Sequence, residues 1–63
     1  MKYTLKMLRV GKGLKQSDLA TALNVNRKTI SAWEKGKCMP SFGMIDTICQ
    51  FFGVSYDEIR WKQ

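Results

Sequence analysis

The sequence predicts an all-α fold, a compact array of five short helices, on three observations. Apolar residues recur three and four apart along most of the chain, strand-like alternation and the usual hairpin turn pairs are missing, and one helix-to-helix corner occurs twice. Length bounds the answer from the other side. A chain of 63 residues buries only about 60 % of its unfolded surface, so residues 1–63 are expected to form one domain with no room for a second.

Each helix has its own signal. Leu5 and Leu8, three apart, begin a first helix that Gly11 and Gly13 stop. Leu19, Ala20 and Leu23 form the inward stripe of a second. Ile30 and Trp33 mark a third, which runs to Gly36 as its closing glycine. Pro40 lies in the loop beyond, and Ser41 caps a fourth helix with the longest stripe in the chain: Phe42, Ile45, Ile48, Cys49 and Phe52. Ser55-Tyr56-Asp57-Glu58 reads as a capping box that opens a fifth short helix, with Ile59 facing inward.

The repeated corner ties these helices together. Leu23-Asn24-Val25-Asn26-Arg27-Lys28-Thr29-Ile30 matches Phe52-Gly53-Val54-Ser55-Tyr56-Asp57-Glu58-Ile59 position by position in residue type. In each copy Asn or Gly closes one helix in the left-handed conformation, valine plugs the corner, and Asn or Ser caps the next helix. The exposed triplets then diverge. Arg27-Lys28-Thr29 is cationic, whereas Tyr56-Asp57-Glu58 is acidic. Acids at a helix start favour the macrodipole, an ordinary structural role. Phosphates would be attracted by the first triplet and repelled by the second.

Net charge is +6, unevenly spread. Residues 1–40 hold nine Lys or Arg against Asp18 and Glu34, a net of +7, and residues 41–63 hold Arg60 and Lys62 against Asp46, Asp57 and Glu58, a net of −1. A solubility coat would be more even, so the N-terminal two-thirds carries the candidate surface for a polyanion or an anionic membrane. Cations gathered around a packed motif, rather than along one amphipathic helix, disfavour the membrane. No apolar run reaches a membrane span, and the N-terminus lacks a secretory signal. Cys38 and Cys49 are expected as reduced thiols of a cytoplasmic protein. With no histidine, scattered acids and no base beside either cysteine, no catalytic residue, metal site, cofactor or small-molecule ligand is expected.

Gln16 to Lys35 has the pattern of a helix-turn-helix unit. Leu19, Ala20 and Leu23 face inward on its first helix, Asn24 turns the chain, and Ile30 and Trp33 pack the second helix back across the small Ala20. On this inward stripe Trp33 is core rather than a base-stacking group. The chain here resembles the phage-repressor and Cro-like helix-turn-helix regulators, the xenobiotic-response-element family. The resemblance runs from about Lys2 to Ile59. It rests on Leu5-Lys6-Met7-Leu8-Arg9, Lys12 to Ala20, Thr29 to Lys37, Pro40-Ser41 and Phe52-Gly53-Val54-Ser55, in order and at family spacing.

That resemblance implies a lambda-repressor-like domain and a bacterial, phage or mobile-element transcriptional regulator, a repressor, that binds double-stranded DNA. Its recognition helix would start at Arg27. Arg27 would fork onto guanine, Lys28 would read a guanine or hold a phosphate, and Thr29 and Ser31 would add hydrogen bonds. Ala32, at a further family reading position, would touch at most a thymine methyl. Gln16 and Ser17 at the start of helix 2, the cap residue Asn26, and Lys35 and Lys37 around the Gly36 turn would meet phosphates. Lys15 stands where the family usually has a Ser, Thr or Asn cap, and Asn24 replaces the common turn glycine. Arg9 and Glu34 would form a partly buried ion pair, an architectural element.

Met7, Met44, Phe51, Tyr56 and Trp61 are left over once one core is filled. They would wrap the domain's own edge, or form a homodimer through helices 4 and 5 that matches a pseudo-palindromic operator. A protein-interaction module on the same scaffold, such as an antitoxin or bridging factor, is the competing function.

Overall fold

A computed structural model describes residues 2–61; Lys62, counted in the charge above, lies outside them. Helices form where the spacing puts the first four: α1 (Leu5–Gly11), α2 (Gln16–Leu23), α3 (Arg27–Glu34) and α4 (Phe42–Phe52). Local chemistry fixes their starts. The side-chain oxygens of Thr4, Asn26 and Ser41 each accept a backbone N–H from the first turn of the helix they cap. Lys15, at the start of α2, has no acceptor to offer. There the Asp18 carboxylate takes the Lys15 N–H at 2.9 Å, so an acid at the third position supplies the bond in reverse.

The expected fifth helix is absent. One half of the Ser55 box forms, the Ser55 N–H donating to Glu58 Oε1 at 2.9 Å, but it closes only a 3-10 turn over Tyr56–Glu58. Ile59 then turns extended, at φ −103° and ψ 132°. Ile59–Arg60 becomes a short strand, β2, that pairs in parallel with β1 (Tyr3–Thr4), in the register Tyr3 with Ile59 and Thr4 with Arg60. Two-residue strands carry no alternation that a sequence could display, and the partners stand at opposite ends of the described chain.

Between the helices the repeated corner has one geometry. Asn24 (φ 58°) and Gly53 (φ 69°) are both left-handed, and the valine after each donates to the carbonyl five residues back: Val25 to Ala20 at 2.9 Å, Val54 to Cys49 at 3.0 Å. The core gathers Leu5 from α1, Leu19, Ala20 and Leu23 from α2, Ile30 and Trp33 from α3, and Ile45, Ile48 and Cys49 from α4, closed by Ile59 and Trp61. Trp33 is therefore core. Of the leftover apolar residues, Trp61 is buried and Met44 packs against the core, while Met7, Phe51 and Tyr56 stay exposed.

Phe42 departs from the stripe assigned to it and is 85 % exposed. It is the first residue of α4, and side chains on a helix tilt toward its N-terminus, so the ring projects past the end of the stripe. It stands at the lip of a groove of about 540 Å3 between α4 and the 3-10 turn, lined also by Ile45, Cys49, Val54 and Tyr56. Burial pushes the Cys49 thiol up from its ordinary range, with Asp46 adding, which keeps it protonated. Cys38 is exposed, and the two cysteines are not bonded to each other.

Candidate nucleic-acid interface

Helix α3 is pinned from within. Ile30 and Trp33 are buried, and Glu34, its last residue, turns back into the protein, where its Oε2 accepts from Arg9 Nε at 2.6 Å. The opposite face is thereby fixed outward. Asn26 Oδ1 accepts the Lys28 N–H at 2.8 Å, which sets the first turn and leaves the Arg27 and Lys28 side chains in solvent. Gly36, at φ 73°, ends the helix: Lys37 donates its N–H to the Ala32 carbonyl at 3.0 Å. Glycine takes that conformation without the steric cost that a Cβ brings to most residues.

These constraints bring Arg27, Lys28, Ser31, Ala32, Lys35 and Lys37 around one shallow depression of about 190 Å3. Four cations line it and no carboxylate does. The acid on α3, Glu34, is buried against Arg9, so its charge is spent inside the molecule rather than on the cations beside it. Of the residues assigned to base edges, Thr29 is not brought into the depression. It sits half-buried on the other flank of α3, as a step of about 100° per residue requires.

The residues assigned to phosphates fall in two places. Lys35 and Lys37 join the depression. Gln16 and Ser17 begin α2, where the first-turn N–H groups have no intrahelical acceptor. Ser17 is exposed. Gln16 is half-buried, and its Nε2 donates to Glu34 Oε1 at 3.0 Å, a bond that sequence reasoning missed. The two residues stand at opposite ends of the helix-turn-helix unit, so only the crossing of α2 and α3 could have disclosed it. Asn26 spends its side-chain oxygen on the cap, which leaves its amide hydrogens for an outside acceptor.

The expected Arg9–Glu34 pair is present and better connected than a simple bridge. Arg9 Nη2 reaches Glu34 Oε1 at 3.3 Å, and Nη1 donates to the Leu14 carbonyl at 2.8 Å. Among the described residues, no cluster of His, Cys, Asp or Glu is arranged to hold a metal ion, and no helix is long and apolar enough to cross a membrane.

A helix-turn-helix family model matches residues 5–59. The chain is 48 % identical over 59 residues to an uncharacterized HTH-type transcriptional regulator of Methanocaldococcus jannaschii, covering 94 % of this chain and 89 % of that one. It is 46 % identical over 55 residues to the HTH-type transcriptional activator BcrR of Enterococcus faecalis, and 38 % identical over 55 residues to the antitoxin PezA of Streptococcus pneumoniae. Each of these two matches covers 87 % of this chain, but only 27 % of BcrR and 35 % of PezA. No solved structure matches the chain.

Proposed function

Because the chain belongs to the helix-turn-helix family of Cro/C1-type transcriptional regulators, we propose that it is a cytoplasmic regulator that binds a specific double-stranded DNA site through the outward face of α3. The observation that carries this reading is the depression with four uncompensated cations beside Ser31 and Ala32. A helix presented in this way lies in a major groove with its first residues toward base edges. Arg27 forks onto a guanine, Lys28 and Ser31 add polar contacts, and Ala32 leaves room for a thymine methyl. Gln16, Ser17, Asn26, Lys35 and Lys37 hold phosphates on either side and fix the register. Thr29, on the other flank, contributes through the backbone of the duplex.

The regulator acts as a homodimer on a pseudo-palindrome and represses by occluding polymerase. Helix α4 and the 3-10 turn form the dimer surface, where Phe42 of each copy enters the partner's apolar groove, an arrangement that a two-fold axis satisfies twice. The domain measures 26 × 23 × 21 Å. Two such bodies side by side suit reading helices about 34 Å apart, one turn of B-DNA.

Selection of sites from random duplexes tests the reading. It should return two half-sites about ten base pairs apart centre to centre. On the selected site Arg27→Ala should cost ~1–3 kcal/mol while leaving random DNA nearly unchanged. Uniform weakening on all sequences would move the reading surface elsewhere. The likeness to an antitoxin supports a second reading, in which the same scaffold chiefly engages a protein. Failure to enrich any sequence would favour it.

A further inference from the structure

The Arg9–Glu34 pair does more than join α1 to α3. Arg9 alone already engages both carboxylate oxygens of Glu34, through Nε at 2.6 Å and Nη2 at 3.3 Å. Yet Oε1 takes a further donor, Gln16 Nε2, at 3.0 Å. Gln16 is the first residue of α2, at the helix start with open backbone N–H groups, and it is only half-buried. A glutamine there has water to bond and no need of a buried carboxylate. Because carboxylate oxygens only accept, the bond also fixes which way the amide faces: NH2 inward, one hydrogen on Glu34, the second about 120° away in the amide plane.

We propose that Glu34, braced by Arg9, is a positioning residue for DNA binding: it holds the Gln16 amide in place so that the second hydrogen can meet a backbone phosphate. This rests on the phosphate role given to Gln16 above. Three parts of the molecule meet at the carboxylate. Arg9 comes from α1 and is itself tied to the Leu14 carbonyl in the turn before α2, Gln16 starts α2, and Glu34 ends α3. The grip on the DNA backbone is therefore fixed relative to the helix that reads bases. Arg9 also neutralises the carboxylate, so an approaching phosphate meets a donor rather than a bare negative charge. A long polar side chain ordered before docking no longer has to be ordered on contact. By the usual cost of immobilising one such side chain, that is about two- to tenfold in affinity.

The test is a cycle on the full chain, with duplex affinity read by fluorescence anisotropy on both the selected site and random DNA. Gln16→Ala is combined with Arg9→Met plus Glu34→Met, since apolar residues of similar volume commonly replace a buried ion pair without loss of fold. The Met pair should weaken both duplexes about two- to tenfold, and Gln16→Ala should then cost much less than it does in the native background. An equal cost in both backgrounds overturns the positioning role while the phosphate contact stands. If Gln16→Ala changes nothing in the native background, the phosphate role falls, and the positioning role with it. A second measurement needs no variant. 15N relaxation of the Gln16 side-chain amide in the free protein should show order close to that of the backbone, and picosecond–nanosecond freedom there overturns the inference.

Discussion

At Asn24 and at Gly53 the backbone turns through the same left-handed conformation, and the valine that follows makes the same bond five residues back. Beyond that point the two corners part. The first leads into α3, eight residues long; the second closes three residues of 3-10 helix and gives way to a strand. The cap residues also act differently. Asn26 accepts a backbone N–H of its helix, whereas the single Ser55 hydroxyl hydrogen faces two carboxylates, Asp57 Oδ1 at 2.7 Å and Glu58 Oε1 at 3.0 Å. At its far end α3 is anchored by Glu34 on Arg9, while the 3-10 turn runs into Ile59, drawn extended by pairing with Tyr3. A corner motif thus sets where a helix may start. Its length depends on what holds the other end.

The sharpest way to break this comparison is at the far anchor. Glu34→Ala leaves the Arg9 guanidinium buried beside lost acceptors and should cost ~3–5 kcal/mol in urea unfolding. A loss under about 1 kcal/mol would mean that α3 stands without its anchor. Next come the corners themselves. Gly53→Ala puts a Cβ at φ 69°, where nothing lies within 4 Å to clash, so the cost is backbone strain alone, ~1–2 kcal/mol. Asn24→Gly, in the same conformation, should change stability by only a few tenths of a kcal/mol. The caps should then differ. Asn26→Ala should cost about 1 kcal/mol, and Ser55→Ala less, because the Ser55 hydroxyl caps no backbone N–H and acts only on two exposed carboxylates.

The smallest effect concerns acid. The Ser55 hydroxyl holds the Asp57 carboxyl below its usual range, and the Ser55 backbone N–H, with help from the hydroxyl, does the same for Glu58. Lowered carboxyls contribute stability that is present at neutral pH and lost as pH falls through the folded values, below about pH 4. Chemical denaturation at stepped pH should therefore show a slightly shallower acid limb in Ser55→Ala than in the native chain. Superimposable limbs would show that the hydroxyl does not act on either acid.

Most of the framework was legible in the residues because its causes are local. The stripes of α2 and α3, the left-handed Asn24, the Gly36 stop and the inward Trp33 each follow from spacing or from one residue's backbone freedom. The cationic start of α3 was legible too, in the Arg27-Lys28-Thr29 triplet of the first corner, whereas Ser31 and Ala32 were assigned through the family resemblance together with Thr29, which the helix turns to its other flank. What stayed hidden is non-local. Pairing of Tyr3 with Ile59 converts a predicted helix into a turn and a strand, and the crossing of α2 over α3 brings Gln16 to Glu34. Phe42 was misplaced for another reason: a helical wheel has no ends, and the ring lies beyond the end of the stripe.

Thr4 belongs to two elements at once. It is the second residue of β1, held against Arg60, and its Oγ1 accepts the Met7 N–H at 3.1 Å to start α1. Release of the pairing between β1 and β2 would also free the first turn of α1, and Arg9 lies two residues beyond Met7 on that helix. Events at the strand pair would thus reach the carboxylate that Gln16 bonds, so a pull on either strand has a short lever to the start of α2.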